Sequence, residues 1–228
     1  MTTNATATAP DIHVVPPQPA IEATIRAIYG DIPIAPCPFT VREIDELERA
    51  NEMLIYLPAR VSMTHLSDLL GVRANVHFEN EGRMIRNCMV DEDQWFVTSA
   101  SRTPELIYES GVAARRVYED EGLHGMDVRR YLAFCLFFKQ RHGVIPDATY
   151  WTFLLSGSYD RSGVSIIGFD AAGVLSHHGW MKNFKAKFVG SRYVVIAPRI
   201  EISPETVSVP RARRGGGRGG READMDRS

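Results

Sequence analysis

His177 and His178 are adjacent, and histidine is the side chain best suited to exchange protons or bind metals near neutral pH. Asp160 and Asp170 stand close to them in sequence. A small hydrolase built from Asp160, Asp170 and His177 or His178 is therefore one chemistry open to this chain. Two features weigh against it. Adjacent histidines in an extended segment point to opposite faces and do not easily chelate one metal. Both aspartates open glycine-containing turns, Asp160-Arg161-Ser162-Gly163 and Asp170-Ala171-Ala172-Gly173, where such side chains satisfy local backbone groups. Ser156-Gly157-Ser158 and Ser162-Gly163 lack the frame of a nucleophile elbow. Phosphate-binding glycine loops are also missing. The three cysteines, Cys37, Cys88 and Cys135, form no CxxC pair and no zinc-type cluster with histidine. The expectation is no metal, no cofactor and a reducing compartment.

A different chemistry is written at the C-terminal end. Residues 211–221 hold five arginines and five glycines in eleven positions. Such a segment cannot bury enough apolar surface to offset its ordering entropy, so it is expected to be disordered. Arg211, Arg213, Arg214, Arg218 and Arg221 present guanidinium forks suited to phosphates and base faces, as in RNA or single-stranded DNA. The charge balance isolates this end. The chain carries 26 basic and 28 acidic residues; six and three of these lie in 211–228, giving that end +3 and leaving −5 on the rest. A mildly acidic body is a poor match for a large nucleic-acid surface, so phosphate affinity is expected mainly in the tail. The tail also reads as a merely solubilising end, its arginines blunted by Glu222, Asp224 and Asp226.

One stretch of the body mixes the right residue types. Lys182, Lys185 and Lys187 interleave with Trp180, Phe184, Phe188 and Tyr193. Basic and aromatic residues together make a stacking platform for bases. In a strand, the same alternation turns aromatics inward and lysines outward, which is the expectation favoured here. A second nucleic-acid motif is partial. Met63 to Asn80 matches the first helix and turn of a helix-turn-helix through Leu66, Ser67, Leu70, Gly71 and Val72. Beyond the turn Val76 comes early, His77 and Asn80 replace apolar residues, and Glu79 and Glu81 would repel phosphates.

These residues need a scaffold. Residues 1–20 read as a disordered Thr/Ala/Pro arm, 21–202 as a single domain, and 203–228 as a disordered end. The N-terminus has no secretory signal, and the longest apolar run, Tyr131 to Phe138, is too short to span a bilayer, so a soluble, cytoplasmic protein without a membrane partner is expected. Helices are predicted at Ile21–Tyr29, after the capping box Thr40-Val41-Arg42-Glu43, at Thr64–Leu70, and shortly after Thr103-Pro104. The strongest, Asp127–His142, is apolar on most sides and is expected at the centre of the fold. Arg115-Arg116 and Glu119-Asp120-Glu121 read as an exposed charged segment. Strands are predicted at Arg83–Met89, Trp95–Ala100, Tyr150–Leu155, Val164–Phe169 and Tyr193–Ala197, with short extended pieces at Ile55–Leu57 and Val174-Leu175. The fold class is α+β: a helical N-terminal half whose one central buried helix packs on a small antiparallel sheet.

The layout Leu54-Ile55-Tyr56-Leu57-Pro58, Thr103-Pro104, one long helix, Gly163 to Val174 and Trp180 resembles a group of uncharacterised bacterial proteins common in candidate-phylum genomes. The resemblance covers roughly residues 45–200. It implies a bacterial cytoplasmic setting and an α+β body, and it transfers no catalytic residue. The Arg/Gly end and His177-His178 depart from it. The first functional expectation is a non-catalytic interaction module with weak, sequence-tolerant binding of RNA or single-stranded DNA through the tail. The alternatives are a helix-turn-helix regulator using residues 63–80 and the small hydrolase around 160–178. A protein partner is also open.

Overall fold

Helix boundaries follow from local hydrogen bonding in the computed structural model, which describes residues 19–74, 85–86, 92–159 and 163–197. Most of the N-terminal arm, the Arg/Gly end, Cys88, Asp160 and most of the strand expected at 83–89 lie outside the described residues. The first helix, α1, is Pro19–Tyr29. Thr40 and Glu43 then form the expected capping box: the Thr40 N–H donates to the Glu43 carboxylate at 2.7 Å, and the Glu43 N–H donates to the Thr40 hydroxyl at 3.3 Å. That box opens α2, Val41–Arg49. Ser62 caps α3, Met63–Leu70. Gly71 ends it in the left-handed region at φ 68°, where a side chain would be strained. The Lys139 ammonium donates to the last α3 carbonyl, Leu70, at 2.7 Å.

Asp127 opens α5, Val128–His142, by accepting the Arg130 N–H at 2.9 Å. Every residue from Val128 to Phe138 is buried. A helix this apolar needs cover on more than one side. It has it: α1 and α3 pack on α5, as do one strand from each of two sheets. The first sheet has the order β1-β3-β9-β4, with β1 Glu52–Leu57, β3 Gln94–Ser99, β4 His124–Gly125 and β9 Tyr193–Ile196. In the second, β5 (Trp151–Tyr159) pairs antiparallel with β6 (Gly163–Phe169), and β6 pairs with β7 (Leu175–Met181). On the other edge of β5 lie β2 (Ile85–Arg86), antiparallel, and β8 (Val189–Ser191), parallel.

The architecture is thus α+β, with two small sheets around the central helix where the sequence suggests one. Side-chain alternation makes the second sheet two-faced. Leu154 and Ile167 join the main core with α5, whereas Phe153, Leu155, Val164 and Ile166 join a smaller core with Ala114 and Tyr118. Those last two belong to α4, Gly111–Asp120, which Ser110 caps. Arg115, Arg116, Glu119, Asp120 and Glu121, expected as an exposed charged segment, are exposed on the outer face and end of this amphipathic helix, while Tyr118 between them turns inward. The helix expected after Thr103-Pro104 does not form. Glu105 instead exchanges two backbone hydrogen bonds with Ser191, both at 2.8 Å, and Leu106 and Tyr108 take left-handed φ values of 45° and 71°. A long-range bridge overrides the local cap.

Candidate nucleic-acid interface

The bridge between Glu105 and Ser191 lays segment 105–112 beside segment 181–189. Gly190 permits the close crossing, because a Cβ there would stand 2.6 Å from the Glu105 carbonyl oxygen. Further along, the Tyr108 N–H donates to the Val189 carbonyl at 3.0 Å and the Val112 N–H to the Lys182 carbonyl at 3.1 Å. The Lys185 ammonium pairs with the Glu109 carboxylate at 3.0 Å.

Strand β7 ends at Met181, and residues 182–188 are turn and loop. The period-two expectation for Lys182–Phe188 therefore fails, and with it the inward placement of the phenylalanines. Only Ala186 of this stretch is buried. It anchors the loop in the smaller core and accepts the Val189 N–H at 3.1 Å. Phe184 is 44% exposed and Phe188 49% exposed. Met181 and, on the neighbouring segment, Tyr108 are more than half exposed. Trp180 stands edge-on to Phe184 with ring centres 5.6 Å apart. Lys182, Lys185 and Lys187 of the same stretch are exposed too. Solvated ammonium groups beside open aromatic faces are the ingredients of sequence-tolerant single-strand contact: lysine meets phosphate as a point charge, and the rings accept bases by stacking.

Next to the bridge residue Ser191, Arg192 belongs to a polar knot that sequence reading misses. Arg192 is fully buried and grips Asp147 with both ends of its fork, at 2.9 Å from Nε and 2.6 Å from Nη2. Arg192 Nη2 also donates to the Ser101 carbonyl at 2.9 Å, and the guanidinium lies 4.3 Å over the Phe134 ring. Thr152 donates to Asp147 at 2.8 Å. Burial pushes the Glu105 carboxyl above its ordinary range, while nearby Arg192 pulls it down. A satisfied, bidentate buried pair of this kind holds loops together. The signal available in the sequence was one arginine inside an otherwise β-rich run, which requires a buried acid partner.

Of the histidine and aspartate candidates, His177, His178 and Asp170 are among the described residues, and each has its own local partners. His177 and His178 lie on β7 opposite Ile167 and Ile166, with His177 buried and His178 exposed. Burial, with His178 adding to it, pushes the His177 imidazole down to about 4, so it is neutral at physiological pH. His178 packs against the Trp151 ring, centres 5.5 Å apart. Asp170 spends one carboxylate oxygen on the backbone N–H groups of Ala172 and Val174, both at 2.9 Å, as its turn position predicts. Asp160 lies outside the described residues. Cys37 and Cys135 are free, buried thiols, and burial raises the Cys135 pKa far above the ordinary thiol value. Among the described residues, no cluster of three or more His, Cys, Asp or Glu side chains is placed to hold a metal ion. The helix-turn-helix candidate is described only as far as α3 and its turn. Past Gly71 the chain runs beside β7, where the Leu175 N–H donates to the Arg73 carbonyl at 2.8 Å. The five tail arginines, Arg211, Arg213, Arg214, Arg218 and Arg221, lie outside the described residues.

Among the described residues no helix is long and apolar enough to cross a membrane. Comparisons with protein-family models, curated proteins and solved structures give no match.

Proposed function

We propose that this chain is a non-catalytic interaction module that binds RNA or single-stranded DNA weakly and with little sequence preference, in a cytoplasmic setting. The observation that carries the reading is the outward placement of Phe184 and Phe188 among Lys182, Lys185 and Lys187. Large aromatics left in solvent between cations cost the free protein apolar exposure and give stacking energy only when a flat partner arrives. Arg211, Arg213, Arg214, Arg218 and Arg221 add a second set of phosphate and base contacts from the terminus. The hydrolase alternative is disfavoured by what its members already do: His177 is neutral and buried, and Asp170 is committed to its own turn.

The test is fluorescence anisotropy of the full-length protein with a labelled mixed-sequence single strand, across a salt series. Expected is binding that falls with log salt at about −0.7 per phosphate neutralised. Replacing Phe184 and Phe188 by alanine should weaken it by ~1–3 kcal/mol for each base that loses its stack. Replacing the five tail arginines by serine should flatten the salt slope. If both variants bind as the parent does, the proposal fails.

A further inference from the structure

A cavity of about 310 Å³ opens between α1, α2, β1 and α5, in a part of the molecule that the aromatic loop does not reach. Its size falls at the lower end of small-molecule sites, roughly 300–1,000 Å³. Its floor is apolar: Ile44, Met53 and Phe137 are buried core residues whose side chains also line the cavity, with the half-buried Leu47 beside them. Three of the lining residues are ionisable, Glu48, Glu52 and Arg141, and Thr24 and Gln140 add uncharged polar groups. Arg141 is taken up by Glu48, at 3.4 Å. Glu52 has no such cation among the described residues. Among the described residues its carboxylate accepts one hydrogen bond, from the Tyr193 hydroxyl at 2.9 Å, at the first residue of β1. The lining therefore carries one formal negative charge in excess, at Glu52, a residue that borders the apolar floor and whose carboxylate has lone pairs beyond the one that Tyr193 takes.

We propose that this cavity binds a small organic monocation, a primary amine or quaternary ammonium with a short aliphatic tail. The tail occupies the chamber between Ile44, Leu47, Met53 and Phe137, and the cationic head sits against Glu52. A carboxylic acid of the same length meets the same floor and the wrong charge. A neutral alcohol keeps the apolar contact and loses the charge-assisted one.

The experiment is a methyl NMR titration of the full-length protein with n-hexylammonium, hexanoate and hexanol in turn. Expected are saturable shifts at Ile44, Leu47 and Met53 with hexylammonium, and at least tenfold weaker binding of hexanoate. Glu52→Gln should cost hexylammonium at least tenfold and leave hexanol unchanged. Leu47→Trp fills the chamber from its half-buried wall, so it should abolish the shifts of all three probes, and it serves where Glu52→Gln disturbs the fold. Equal response to hexylammonium and hexanoate, or saturable shifts confined to other methyls, would overturn the proposal. So would contacts between the cavity methyls and Val14 or Val15 in the protein alone, which would give the chamber to the chain's own N-terminal arm.

Discussion

Lys187 and Arg192 belong to one short stretch of chain, yet their charges have opposite uses. Arg192 is fully buried, and its donors are spent on Asp147 and on the Ser101 carbonyl. Lys187 is exposed and, like Lys182, has no ion-pair partner among the described residues. Removing a charge from water is tolerated when the charge is paired and hydrogen-bonded, so the interior cation is consumed by the fold. A cation left in water keeps its donors, and beside Phe184 and Phe188 it remains available to a partner. Type alone does not separate a cation spent on the fold from one left to solvent; the number of donors already spent does.

The sharpest way to break the contrast is to unpair the interior. Asp147→Asn keeps the shape and removes the charge that neutralises Arg192. Leaving a buried guanidinium uncompensated is expected to cost ~3–5 kcal/mol in unfolding free energy, read by urea denaturation. Replacing both partners together, Asp147→Leu with Arg192→Met, should cost much less than the single change, because no charge is stranded. A single change worth under about 1 kcal/mol would mean that the knot is hydrated, and the contrast with the surface lysines would collapse.

The second prediction uses pH. The unfolded chain protonates His177 near 6.5, and the folded chain holds it neutral down to about 4. The folded pKa is depressed, so this stabilising contribution is whole above pH 6.5 and is withdrawn as pH falls towards about 4. The swing across that window is on the order of 3 kcal/mol. His177→Leu should flatten the acid limb of a stability-against-pH curve. Parallel curves for parent and His177→Leu would show that His177 is not the group that titrates.

What was legible in the sequence follows the range of each interaction. The Thr40–Glu43 box and the Asp127 and Gly143 ends of α5 are local, and each is read directly from adjacent residues. The burial of α5 is legible because apolar residues between its charged ends lie on most of its sides and not on one stripe. Thr103-Pro104 misleads because its helix signal is also local, while the Glu105–Ser191 bridge that defeats it joins distant parts of the chain. For the same reason Asp147 and Arg192 could not be paired from sequence. The Lys/Phe stretch was legible in its composition and misread in its orientation, since period-two reasoning requires a strand and β7 has already ended at Met181.

The smallest expected effect on the fold is also the one that tests the surface half of the contrast. Lys182→Glu with Lys187→Glu reverses two exposed charges that have no ion-pair partner among the described residues. Surface substitutions of this kind stay within about 0.5 kcal/mol in stability. The same pair of changes places carboxylates beside Phe184 and Phe188, where the backbone of a single strand would run, and repulsion there should reduce single-strand affinity most at low salt. The informative quantity is the ratio of the two effects, measured on one preparation by denaturation and by anisotropy. A large loss of binding with unchanged stability keeps Lys182 and Lys187 on the functional side of the comparison with Arg192. Unchanged binding moves them to ordinary solvated charge and leaves the tail arginines to carry any affinity alone. A loss of stability comparable to that of Asp147→Asn would show that the loop is structural like the Arg192–Asp147 knot.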